Sequence, residues 1–105
     1  MRRAVAVNTD GMWSGTVRTE PGASSGWHHH GSYQTTIYVV SGVLRMEFGG
    51  GGADAFEAGP GEFVYVPAGA VHREANPTDE TSTAVVVRAG TGGQAVINVD
   101  GPAPT

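Results

Sequence analysis

Glycine and proline divide this chain into short apolar runs, and that division constrains the fold more than any other feature. Seventeen glycines and six prolines are spread over 105 residues, separating segments rich in Val, Ile, Tyr, Phe and Thr. Residues of the second kind suit pleated strands, and residues of the first kind suit the turns between them. No stretch has a helical period. The pattern predicts an all-β barrel or sandwich. Strands are expected around Val5, over Gly15–Thr19, Trp27–His30, Thr36–Val40, Val43–Phe48 and Ala55–Glu57. Others are expected over Phe63–Val66, Val71–Ala75, Thr83–Arg88 and Val96–Val99. In Val43–Phe48 the alternation puts Leu44, Met46 and Phe48 on one face and Arg45 and Glu47 on the other. The four glycines at 49–52 lack a following helix and a lysine, so they read as a hairpin tip rather than an anion cradle.

Composition removes several functions. No lysine is present and the six arginines are scattered, so the basic stripe that nucleic acid needs is missing. The net charge of −4 is spread without an acidic run. The absence of cysteine excludes a disulfide, a thiolate zinc site and a cysteine nucleophile. Arg2 and Arg3 precede an apolar stretch of only Ala4–Val7, too short for a secretory core, and no segment reaches membrane-spanning length. The expectation is a cytoplasmic protein of one domain over residues 1–105, with a loose tail from about 100 to 105 and no membrane partner.

Three of the four histidines are consecutive, His28, His29 and His30. In an extended strand, residues two apart share a face with Cα atoms roughly 6.5–7 Å apart. His28 and His30 can then grip one ion while His29 points away. Two ligands hold a metal poorly, and His72 is the remaining histidine to supply a third. The competing reading is a polar surface cluster with no ligand.

The surrounding spacing bears on that choice. The first stretch runs Gly22, five residues, His28, one residue, His30, four residues, Thr35, six residues, Gly42. The second runs Gly61, five residues, Pro67, one residue, Gly69, two residues, His72, three residues, Asn76. These stretches resemble the paired motifs of the cupin family, G-x5-H-x-H-x(3,4)-E-x6-G and G-x5-P-x-G-x2-H-x3-N. The second matches at every fixed position. The first matches except at its acid, where Thr35 stands. The resemblance implies a double-stranded β-helix, or jelly-roll, barrel with a metal in its mouth, and a homodimer. A threonine hydroxyl is a poor ligand. Gln34 offers a better oxygen, and a bulge that shifts the register would turn it to the ion. The expected ligands are therefore His28, His30, His72 and Gln34, with Thr35 as the alternative to Gln34.

Imidazole-rich ligation suits Fe, Ni, Cu, Mn or Zn and disfavours Ca and Mg. Neutral histidines leave the ion's charge largely uncancelled, which favours an anionic or enolisable small-molecule substrate. Trp27, Tyr33, Ile37, Met46, Phe48 and Tyr65 are candidates for an apolar cup around it, against the plainer reading of barrel core. Arg73 is expected outside. Glu74 returns to the face of His72 and is a candidate general base. A dioxygenase-like enzyme is the leading reading. A cupin isomerase, lyase or cyclase, a metal-dependent binding or sensing module, and a structural metal are the alternatives.

Overall fold

The computed structural model describes residues 1–91 and 96–101. The strands are β1 (Arg2–Asn8), β2 (Met12–Thr19), β3 (His28–His29), β4 (Gln34–Ser41) and β5 (Leu44–Phe48). They continue as β6 (Asp54–Ala58), β7 (Phe63–Val66), β8 (Arg73–Ala75), β9 (Ser82–Ala89) and β10 (Ile97–Asn98). Each lies where the turn chemistry expects it, with β3, β8 and β10 two residues shorter than expected. The tail beyond residue 101 lies outside the described residues. No helix among the described residues is long and apolar enough to cross a membrane.

All pairings are antiparallel. A five-stranded sheet has the order β1-β2-β9-β4-β7, and a three-stranded sheet the order β6-β5-β8. The short pair β10-β3 joins the second sheet through bridges between Ser24 and Ala75 and between His28 and His72. The result is two sheets facing one another, the jelly-roll barrel expected from the sequence.

The core lies between the sheets because β2, β4, β5, β7, β8 and β9 alternate. In β9 every second residue, Ser82, Ala84, Val86 and Arg88, is buried. Val17, Ile37, Val39, Val64 and Val66 join Ala84 and Val86 from the larger sheet, and Leu44, Met46 and Ala58 meet them from the smaller. Phe48, expected on the buried face with Leu44 and Met46, is 36% exposed at the strand's end.

Two turns show why particular residues are required. Gly42 links β4 to β5 at φ +76°, and a Cβ there would stand 2.7 Å from Cα of Ser82. Only glycine fits that crossing. Asn76 is fully buried and closes the chain around the end of β8. Its Nδ2 donates to the carbonyls of Thr19 and Glu80, and its Oδ1 accepts from the amide and hydroxyl of Thr78. The asparagine that ends the second motif is thus a hub of the fold rather than part of the chemistry.

Candidate metal centre

His28 and His72 face one another as an antiparallel pair. The amide of His28 donates to the carbonyl of His72 at 3.0 Å, and the amide of His72 returns the bond at 2.8 Å. Directly opposed residues project to the same side of a sheet, so both rings enter the barrel. His30, two residues past His28, follows the same parity. The ring centroids are 4.3 Å apart for His28–His72, 5.1 Å for His28–His30 and 5.0 Å for His30–His72. One nitrogen from each ring lies within 4.8 Å of the others, and all three residues are buried. His29 alternates outward and its Nδ1 accepts from the amide of Gly31 at 3.0 Å.

Nδ1 of His28 lies 2.9 Å from the carbonyl of Gly26, and Nδ1 of His72 lies 2.9 Å from the carbonyl of Ala70. A carbonyl only accepts, so each Nδ1 carries a proton, and in the neutral ring Nε2 then presents its lone pair to the site. Both Nε2 atoms are buried, and no group among the described residues hydrogen-bonds to them. Orphaned acceptors of this kind fit a cation between them. Burial, outweighing the Gly26 carbonyl and the charge of Glu74, holds His28 below the ordinary histidine pKa. The neutral imidazole that results is the form that binds metal.

Glu74 of β8 shares the parity of His72. Its Oε1 lies 3.6 Å from Nε2 of His72 and its Oε2 lies 3.8 Å from Nε2 of His28.

Gln34 and Thr35 occupy the opposite places from those a bulge would give them. β4 pairs with β9 without a register shift from Gln34 to Val39. Alternation therefore turns Thr35 inward and Gln34 outward. Gln34 is exposed, and its Oε1 accepts from the Tyr65 hydroxyl at 3.0 Å. Thr35 is 1% exposed, and its Oγ1 has no hydrogen-bond partner among the described residues.

Besides a hollow of about 310 Å³ at His28, two adjoin His30 and His72. The inner one, about 20 Å³, is lined by His30, Thr35, Ile37, Glu74 and Arg88 among others, and has room for a water-sized occupant. The other, about 290 Å³, is walled by Met46, Phe48, Phe56, Tyr65 and Pro67 and reaches His72. Of the expected cup, Met46, Phe48 and Tyr65 line this apolar hollow and Ile37 lines the inner one. Trp27 and Tyr33 line neither. Trp27 alternates away from His28, and the guanidinium of Arg73 covers its ring at 4.6 Å. Tyr33 packs against Gly90, where a Cβ would approach its Cα to 2.9 Å. Arg73 itself is outside, as expected, paired with Glu47.

Two lining residues went unnoticed in the sequence. Phe56 completes the apolar wall. Arg88 is 6% exposed, stacks 4.4 Å over Trp13, and has a buried Nε with no partner among the described residues. Burial, with Arg3 nearby, lowers its pKa, while Glu74 opposes the shift. The valines before it are apolar on both parities, so no signal in the sequence marks it.

A model of the cupin domain matches residues 15–88, a span holding all four residues His28, His30, His72 and Glu74. Curated proteins gave no match. Among solved structures, a Klebsiella pneumoniae protein with a double-stranded β-helix domain superposes with a TM-score of 0.80 at 25% identity, over 93% of this chain and 84% of that one. Bacillus subtilis oxalate decarboxylase, a protein with Mn(II) centres, gives 0.72 at 27% identity, over 86% of this chain and 24% of that one. A DMSP lyase from Ruegeria pomeroyi gives 0.74 at 21% identity, over 87% and 44%, a likeness of fold.

Proposed function

This chain belongs to the cupin family, and from that premise we propose that it holds one divalent transition metal through His28, His30 and His72 and acts on a small anionic or enolisable organic molecule. The observation that carries the reading is the pair of buried, partnerless Nε2 atoms on His28 and His72, gathered with His30 beside an apolar hollow. Bound there, an ion would supply Lewis acidity and, if Fe, Mn, Ni or Cu, access to oxygen chemistry.

The chain's own residues define the rest. Met46, Phe48, Phe56 and Tyr65 present an apolar wall beside His72 and suit a planar or short-chain apolar body. The buried cation of Arg88 lies on the inner side and favours a negative charge in the neighbourhood. Among the described residues no second acid joins Glu74 beside the histidines, which supports a dioxygenase-like reaction over one needing two protein acids. A cytoplasmic homodimer completes the reading. Tyr38 and Phe63, with ring centroids 4.8 Å apart on the outer face of β4 and β7, support an apolar contact between copies.

Elemental analysis of untagged protein tests the metal claim. The expected result is near-stoichiometric Fe, Mn, Ni, Cu or Zn in the wild type and in His29→Ala, and a sharp loss in His28→Ala, His30→Ala and His72→Ala. Protein that stays metal-free after reconstitution with each of these ions would sink the reading.

A further inference from the structure

Thr35 leaves the centre without the acid of its first motif, and a carboxylate from another strand stands where one is needed. Building on the metal reading above, we propose that Glu74 is the carboxylate ligand of the ion, supplied from the second motif, two residues past His72, in place of an acid at position 35.

Four observations carry this. Glu74 is 8% exposed, and among the described residues its ion-pair contacts within 4.0 Å are with His28 and His72. One oxygen is directed to each ring, at 3.6 and 3.8 Å, beyond hydrogen-bond length. Ligands held about 2.0–2.1 Å from a shared ion sit about 3.3–3.5 Å from one another in a tetrahedral set, so these separations leave space for an ion. In the neutral ring, with Nδ1–H on a backbone carbonyl, the Nε2 atom that Glu74 faces is a lone pair. Lone pair facing carboxylate is repulsive unless a cation lies between them.

The backbone fixes Glu74 where this role requires it. Its amide donates to Oγ of Ser25 at 3.0 Å, and its carbonyl accepts from the amide of Ser25 at 2.8 Å. Ser24 bridges Ala75, so the segment before His28 clamps the strand on which Glu74 stands. The resulting set is three imidazoles and one carboxylate, with an ion's net charge reduced from +2 to +1. A tetrahedral zinc would be closed by it, while an ion preferring six ligands keeps positions for substrate and oxygen or water.

Cobalt(II) is the probe, titrated calorimetrically and by visible absorption into wild type, Glu74→Gln and His72→Ala, all checked for fold by circular dichroism. The expected result is one Co(II) per wild-type chain, with affinity lowered more than about 100-fold and bands altered in Glu74→Gln. Undiminished affinity and an unchanged spectrum in Glu74→Gln, with loss in His72→Ala, would overturn the ligand role and leave the histidine site standing. No binding to the wild type would overturn both. Infrared difference spectra of wild type with and without Co(II) decide the matter even if Glu74→Gln fails to fold. A shifted carboxylate stretch supports ligation, and none overturns it.

Discussion

Thr35 on β4 pairs directly across from Arg88 on β9, and each turns a buried polar atom inward that finds no partner among the described residues, Oγ1 on one and Nε on the other. Unsatisfied buried groups cost about 1–3 kcal/mol apiece, so two on one cross-strand pair beside the histidine cluster mark a place that answers to something other than stability. An anion bound at the centre would relieve both.

Arg88→Leu therefore separates fold from binding. Stability should hold or rise, since the leucine joins Val86 and Ala84 without an orphaned donor. Metal content should be unchanged. Affinity of the loaded protein for a small 2-oxo acid should fall by about tenfold or more, the worth of one charge-assisted contact, while its neutral amide is unaffected. Calorimetry with both ligands reads the difference, and equal loss for acid and amide would assign Arg88 to shape rather than charge.

Asn76→Ala should destabilise the protein without passing through the metal. The change removes four side-chain hydrogen bonds and leaves the carbonyl of Thr19 buried. A loss of about 2–4 kcal/mol is expected, a large share of the total for a domain of this size. Urea unfolding of unloaded protein measures it, and a midpoint within error of wild type would show that the loop around Thr78 closes without it.

Glu47 supplies a pH-dependent contribution. Hydrogen bonds from Arg45 and then Arg73 hold its carboxyl below the ordinary value of 4.5. A carboxyl lowered by folding stabilises above its unfolded pKa, and that contribution fades as pH falls through the folded one. Glu47→Gln should lower Tm at pH 7, and the gap from wild type should narrow progressively below about pH 4.5. A gap that stays constant between pH 7 and pH 3 would refute the ion-pair origin.

The strand pattern was legible because glycine and proline mark nearly every reversal, and the histidine parity followed from a period of two. Thr35 and Gln34 were harder. The four-residue spacer after His30 leaves room for a bulge, but the turn ends at Tyr33, whose amide donates to the carbonyl of His30, and β4 begins in regular register at Gln34. Arg88 was hidden by its strand. Val85, Val86 and Val87 are apolar on both parities, so the sequence does not say which face is inside. Glu74 shared the parity of His72 in the sequence, but whether it reached the histidines depended on the His28–His72 pairing, a contact between residues far apart in the chain.

The carbonyls of Gly26 and Ala70 orient two imidazoles through hydrogen bonds that no ion takes part in. Loading and unloading can then proceed as exchange of a guest in a finished host. Where the geometry is set in advance, ions compete by size and preferred angle, so occupancy becomes a record of which metals the surroundings offer.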